Sequence, residues 1–423
     1  MGINPVIRIN QKFDEGNDIA FMINGEDKYL YDTNGKKYID FCGGIWNVPF
    51  GYSCPEIMES IIEQGKKIPF CNLITNIADI QYNYALRLNT MLGTAALIYT
   101  CSGSESNEAA IKACRKYQAL KNRKRKTISA FNLSYHGTTY GAMSISGIDQ
   151  KCAEDFFPLI DEIEWITLPE DQLEDENAWV QAIEEHFEKY AAELAGVIIE
   201  PVFGSGGIVS FPTKALKRLE ELCNEHDVLL VDDEVTTGFG RTGVPFAFQQ
   251  HDVKPDLICL SKGITNGFMP LGVLAFSEKV CDAFVKKGAT FEHFSTQGGN
   301  LLSIAAADAV LDYMQNYESY QVAEKGEYFK NYLTKLFASY KEISVRGKGL
   351  MIGISFSKNL DERRLLEVWE KLKRQGLLVY IFLNQGYNLG LSFFPPFTST
   401  KEELKDVADK VFKVLKRYPD ILC

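Results

Sequence analysis

Apolar residues recur at three- and four-residue spacing over 55–68 (PEIMESIIEQGKKI) and 78–92 (ADIQYNYALRLNTML), which predicts two amphipathic helices. Upstream, residues 21–42 (FMINGEDKYLYDTNGKKYIDFC) are aromatic-rich runs broken at Asn24-Gly25 and Asn34-Gly35. That is the pattern of strands joined by hairpin turns. Beyond residue 95, short apolar runs alternate with helical segments. AALIY (95–99), TISAF (127–131), GVIIE (196–200), VLLVDDE (228–234), DLICL (256–260) and GVLAF (272–276) read as buried strands, with a helix over ESNEAAIKACRKYQAL (105–120). Continuous apolar strands separated by crossovers predict an α/β fold with a mostly parallel central sheet covered by helices.

From about residue 300 helices return, over LLSIAAADAVLDYM and EKGEYFKNYLTKLFASY. Strands are expected near 350–356, 377–382 and 389–394. The expected division is a large domain over 55–304. A small α+β domain draws on both termini, 1–54 and 305–423.

Composition narrows the function classes. The chain has 423 residues, 46% hydrophobic and 24% charged, which are ordinary globular values. Its net charge of −11 argues against nucleic acid as the main partner, since phosphate backbones need a basic face. The basic run KNRKRK (121–126) reads as a solvated helix end and loop. The start has no apolar core of signal-peptide length, and no run reaches membrane-span length. Ten cysteines without a CxxC pair read as reduced thiols of a cytoplasmic protein. The five histidines show no metal-ligand spacing, so no metal site is expected.

The densest chemistry lies in VDDEVTTGFGRTG (231–243). Gly238, Gly240 and Gly243 spell GxGxxG, the mark of a dinucleotide turn when a helix follows directly. Here three acids intervene and Pro245 interrupts the continuation, so a loop is the favoured reading. Along a strand, Asp233 shares a face with Val231, while Asp232 and Glu234 share the other. A buried carboxylate needs a donor or a cation. Lys262, just past the end of DLICL, is a candidate. An acid and a lysine at that edge suit imine chemistry with a carbonyl cofactor, and equally an ordinary strand-edge salt bridge. Ser102-Gly103-Ser104 opens a helix, where free N–H groups and the helix dipole favour an anion. The same residues fit a capping box with Ser104 as cap and Asn107 or Glu108 closing it.

Taken together, SGSESNEAAIKACR, YHGTTYGAM, VIIEPVFGSGG, LLVDDEVTTGFGRTG, LSKGITNGFMPLGVL and STQGGNLLSIAAADAVL resemble the ordered motifs of class III aminotransferases, pyridoxal-phosphate enzymes of fold type I. The similarity runs from about Tyr29 to Pro396. The resemblance implies that Lys262 holds the cofactor covalently and later moves a proton, and that Asp233 pairs with the pyridine nitrogen. It implies that Val235 packs behind the ring and Tyr135 stacks on its other face, with His136 beside it in the cofactor site. Ser102, Gly103 and Ser104 match the phosphate turn. Thr296 matches a phosphate ligand given by a neighbouring subunit, which implies a homodimer. The implied reaction is a ping-pong exchange between an amine donor and an oxo acceptor. Aminomutases, racemases and decarboxylases share the scaffold. A nicotinamide oxidoreductase using GFGRTG and a non-catalytic binding protein are the rivals from other classes.

Departures from the family pattern bear on substrate. Relatives acting on α-amino acids often carry arginine where this chain has Ser392. Those acting on 4-aminobutyrate or acetylornithine tend to carry it where this chain has Thr138, and Thr236 stands where glutamine is common. GGIWNVPFGY resembles the segment of ω-amine:pyruvate and diaminopelargonate aminotransferases in which a tryptophan, here Trp46, lines the substrate pocket. Phe382, Phe393, Phe394 and Tyr140 are expected to add apolar lining, and Glu200 and Ser392 are further candidate substrate residues.

Overall fold

A computed structural model describes Val6 and residues 20–168, 172–384 and 388–422. The expected N-terminal segment 1–54 therefore lies outside the described residues up to Asn17-Asp18-Ile19, Val6 excepted.

The chain opens with β1 (Met22–Glu26), β2 (Tyr29–Asp32) and β3 (Lys37–Asp40), an antiparallel meander. Of the two expected turns, only Asn34-Gly35 forms, with Gly35 at φ +75°. The β1–β2 turn falls instead at Asp27-Lys28, with Asp27 at φ +50°. Asn24-Gly25 lies inside β1 at a register shift. There glycine serves clearance, because a Cβ on Gly25 would sit 3.0 Å from the Tyr52 ring.

The central sheet is built from β4 (Ala96–Thr100), β5 (Thr127–Phe131), β6 (Ile163–Ile166) and β7 (Leu194–Ile199). After a short hairpin of β8 (Val202–Phe203) and β9 (Val209–Ser210), it continues with β10 (Leu229–Asp233), β11 (Leu257–Leu260) and β12 (Gly272–Phe276). Seven strands lie in the order β4-β12-β11-β10-β7-β5-β6. All pairs are parallel except those of β12, which runs against both neighbours. β5, β7, β10, β11 and β12 are buried at every position. Helices cover both faces of such strands, so their sequence is mostly a continuous apolar run, without the polar–apolar alternation of a half-exposed strand. β6 (IEWI) is not evident from the sequence because it is only four residues long and Glu164 interrupts its apolar run.

Towards the C-terminus, β13 (Ser344–Lys348), β14 (Met351–Phe356), β16 (Tyr380–Asn384) and β17 (Asn388–Phe393) form an antiparallel sheet ordered β13-β14-β17-β16. The run expected as one strand over 377–382 is divided. Its first part, β15 (Leu377–Leu378), pairs parallel with β3. Among the described residues, no helix is long and apolar enough to cross a membrane.

This topology positions the site. β7, β10 and β11 are neighbouring parallel strands, with Asp232 in register with Ile199 and Ile258. Their carboxyl ends therefore release Glu200, Glu234 and Lys262 along one edge, where open α/β sheets bind ligands.

Candidate active site

β11 leaves the core at Ser261 and enters a single 3-10 turn, Lys262–Thr265. Lys262 has φ +46° and Asn266, which closes the turn, φ +51°. The Asn266 side chain bolts this turn to a distant segment. Its Oδ1 accepts from Phe50 N–H (2.9 Å) and its Nδ2 donates to Gly51 O (2.8 Å). Lys262 Nζ donates to Thr236 Oγ1 at 2.6 Å and lies 4.9 Å from the Trp46 ring centroid. Burial lowers the Lys262 pKa, against the nearby charges of Asp233 and Glu200, which raise it.

Asp233 does not pair directly with Lys262, so the strand-edge salt bridge that the sequence left open does not form. Its Oδ2 accepts from Asn107 Nδ2 and lies beside His136 Nδ1, both at 2.8 Å, and its Oδ1 accepts from Val235 N–H at 3.0 Å. Asn107 enters the sequence reading only as a possible capping-box residue and not as a partner of Asp233. The usable signal was its spacing, since Gly103 and Asn107 are one helical turn apart and share a face. His136 is anchored through its own N–H to Ser146 Oγ (2.8 Å), and its Nε2 is buried without a hydrogen-bond partner among the described residues. Glu200 is buried with both oxygens engaged, accepting from Tyr135 N–H (2.8 Å) and Gly204 N–H (3.2 Å). Burial pushes its carboxyl up to about 7, with His136 pulling it down and Asp233 pushing it further up.

The helix Gly103–Leu120 begins at the same edge. Its cap is Ser102 and not Ser104: Ser102 Oγ accepts from Glu105 N–H at 3.2 Å. The Glu105 side chain reaches back to Cys101 N–H. Ser104 is left to accept from Thr138 N–H at 3.4 Å. Gly103 lies against Val235, where a Cβ would come within 2.9 Å of Val235 Cγ1. A free helix N-terminus, a glycine cradle over Val235, a desolvated lysine amine and a buried carboxylate fit a phosphate-bearing aldehyde cofactor with a basic ring nitrogen.

The remaining candidates are spread around this centre. Trp46 is buried, stacked on Phe394 (4.6 Å between centroids, 20°) and edge-on to Tyr380 (4.9 Å, 67°). Phe393 is a correction to the expected lining. It belongs to the hydrophobic core, edge-on to Phe329 at 5.6 Å, because neighbouring strand residues face opposite ways. Phe382 covers Gly390, whose Cβ would fall 2.2 Å from its ring. Ser392 is fully buried and its hydroxyl has no hydrogen-bond partner among the described residues. Thr138, Tyr140 and Thr296 are exposed.

The GFGRTG segment opens no helix and is buried. A Cβ on Gly240 (φ +90°) would lie 2.2 Å from Tyr317 Cε2, and one on Gly243 (φ +98°) 2.9 Å from Ala323 Cβ. Tyr317 Oη donates to Gly240 O, and Arg241 Nη1 donates to Leu350 O and Pro395 O. The glycines thus dock the loop under C-terminal residues, and no dinucleotide turn forms. The two outward acids differ. Glu234 accepts from Phe248 N–H (2.9 Å) and Thr237 Oγ1, and burial pushes it up to about 7. Asp232 has no partner for either oxygen among the described residues; burial and the charges of Glu234 and Asp233 hold its pKa well above the usual carboxylate range.

Comparison with known proteins agrees with this geometry. The family model for class-III aminotransferases matches residues 12–415. The acetylornithine aminotransferase of Aquifex aeolicus is 34% identical over 93% of this chain and 96% of its own length. An aminotransferase structure from Bacillus anthracis superposes with a TM-score of 0.91 at 28% identity, covering 97% of this chain and 96% of that one. An amine transaminase from an uncultivated Pseudomonas species, solved in its PLP-bound form, gives 0.86 at 27% identity over 97% and 98% of the two chains. The chain therefore belongs to the class-III aminotransferase family and is a transaminase whose cofactor is pyridoxal 5′-phosphate.

Proposed function

We propose that the chain transfers an amino group from an amine donor to an oxo acceptor in two alternating half-reactions at Lys262. Lys262 would hold the cofactor through Nζ. Asp233, oriented by Asn107 and His136, would meet the ring nitrogen. Val235 and Tyr135 would flank the ring, and Ser102, Gly103 and Ser104 would take the phosphate. When bound, the cofactor supplies an electron-withdrawing ring that accepts the electron pair of a substrate carbanion. Lys262 Nζ, once free, would take the proton from the donor carbon. Burial favours the neutral amine that this step needs, and Thr236 Oγ1 fixes its direction. Glu200 holds the Tyr135 backbone at the site's edge.

The donor proposed is an amine with an apolar group and no carboxylate, either beside the reacting carbon or further along the molecule. The observation that carries this is the Trp46 indole set over Lys262 Nζ, backed by Phe394 and Tyr380. Neither Thr138 nor Ser392 can supply the bidentate clamp that an arginine gives a carboxylate. A donor panel tests this. Arylalkyl amines are expected to convert the bound cofactor to its amine form rapidly, and strong turnover of 4-aminobutyrate or acetylornithine would overturn the reading.

A homodimer is also proposed, with Thr296 of a second copy completing the phosphate site. Supporting it, Met58, Ile62, Ile68, Ile74, Ile77 and Leu86 are exposed apolar side chains within one stretch of two helices and their connection. Exposed apolar residues grouped in this way mark an interface.

A further inference from the structure

β3 ends on Asp40, a buried carboxylate that accepts four hydrogen bonds. Oδ1 accepts from the N–H groups of Cys42 (2.9 Å) and Gly43 (3.0 Å). Oδ2 accepts from Gly44 N–H (2.8 Å) and from the Tyr52 hydroxyl (2.6 Å). Three successive amides therefore curl around one side chain. Beyond Cys42 the chain winds left-handed: Gly43, Gly44, Ile45 and Trp46 have φ of +59°, +60°, +58° and +66°. The turn closes through Trp46 N–H to Cys42 O (2.9 Å) and Asn47 N–H to Gly43 O (2.7 Å).

Left-handed winding is unfavourable for any L-residue, and a β-branched side chain is the least suited to it. The two glycines escape that cost and are also needed for clearance. A Cβ on Gly43 would lie 2.6 Å from Phe394 O, and one on Gly44 2.7 Å from Val48 Cγ2. The strain falls on Ile45 and Trp46. Ile45 is 53% exposed, so little packing holds it in place. The indole of Trp46 is held by Phe394 and Tyr380, but those contacts exist only once the backbone has delivered it there. What offsets the strain at its origin is the set of charge-assisted hydrogen bonds to Asp40, each roughly twice as strong as a neutral one.

We infer that Asp40 is a positioning residue for donor selection: it winds the Gly43–Trp46 turn left-handed and so sets the Trp46 indole over Lys262. Asp40 acts through Trp46 and touches no substrate itself, and Tyr52 braces it from the far side. The inference rests on the reading of Trp46 as a wall of the donor pocket.

Asp40→Asn tests it on the holoenzyme, because a carboxamide replaces one acceptor oxygen with a donor and so leaves one or two of the three turn amides without their acceptor. With 1-phenylethylamine as donor, KM is expected to rise about tenfold with kcat within about twofold, the pattern of lost binding that is uniform along the reaction. In a Trp46→Ala background, the same substitution should change KM by less than about twofold, since positions acting through one another are non-additive. A readout independent of turnover comes from 5-fluorotryptophan labelling. The chain has four tryptophans, and the Trp46 ¹⁹F resonance is assigned by its loss in Trp46→Phe. Asp40→Asn should shift and broaden that resonance and leave the other three in place. An unmoved Trp46 resonance, or an equal KM increase in the Trp46→Ala background, overturns the inference. If Trp46→Ala alone leaves the KM unchanged, the reading of Trp46 as pocket wall fails instead, and the ¹⁹F shift still decides whether Asp40 holds Trp46. Should Asp40→Asn not fold, Tyr52→Phe removes a single donor and is expected to move KM and the resonance in the same directions, with KM about threefold higher.

Discussion

Gly103 and Val235 meet so closely that a Cβ on the glycine would lie 2.9 Å from Val235 Cγ1 and 3.0 Å from Cγ2. Gly103→Ala must therefore push the helix N-terminus away from the strand end. Overpacking of this kind costs about 1–3 kcal/mol. We expect the affinity for pyridoxal phosphate to fall about tenfold or more, measured by absorbance titration. Val235→Ala in the same chain should restore most of it by removing the obstructing methyls, and an unchanged affinity in Gly103→Ala would remove this turn from the cofactor site.

Asp232 sets up a prediction about pH. Its folded pKa is raised, as are those of Glu200 and Glu234, so between about pH 4 and their folded values the native chain binds more protons than the unfolded one. The contribution of these groups to stability is thus intact at low pH and lost as pH rises above about 4, for Glu200 and Glu234 through about 7. Asp232→Val removes an unpartnered buried carboxyl and should stabilise the chain at pH 8 by about 1–3 kcal/mol, with a smaller gain at pH 5. Urea unfolding at the two pH values measures this. Equal gains would mean that Asp232 does not titrate as the burial implies.

Ile74 is 71% exposed, so little in its own chain depends on it. Ile74→Glu should leave the fold intact and shift the particle from twice the chain mass towards the single chain in light scattering. It should also weaken cofactor retention if Thr296 of a second copy serves the phosphate. A dimer that survives this charge would place the interface elsewhere.

Gly240→Ala addresses the glycine loop. With φ at +90° and Tyr317 Cε2 at 2.2 Å from the new Cβ, destabilisation of about 3 kcal/mol or more is expected. Nicotinamide dinucleotides should give no saturable fluorescence change with either the native or the substituted chain. Saturable binding by the native chain alone would revive the dinucleotide reading.

The features readable from sequence were those in which one residue type at one place has few alternatives. β10 and β11 announce themselves because strands covered on both faces are mostly continuous apolar runs, and Asp233 and Lys262 stand out at their ends. What escaped depends on contacts between distant segments. Gly25 looks like a hairpin glycine, yet it clears the Tyr52 ring. Ser104 looks like a cap, yet the cap is Ser102, two residues earlier, leaving Ser104 to face Thr138. Gly43-Gly44 hints at positive φ, but nothing local indicates that Ile45 and Trp46 continue the winding. Asp233's partner Asn107 lies on a helix more than a hundred residues away in the chain.

The stack of Trp46 on Phe394 joins two residues from nearly opposite ends of the chain, and the β3–β15 pairing is almost as remote. A chain emerging from the ribosome N-terminus first can complete the seven-stranded sheet, with Asp233 and Lys262 on its edge, while the residues that close over Trp46 are still unmade. The strand edge that carries Asp233 and Lys262 can therefore be assembled before Trp46 is covered, and that cover belongs, with Asp27–Thr398 and Tyr29–Glu403, to the late long-range closures of the newborn chain.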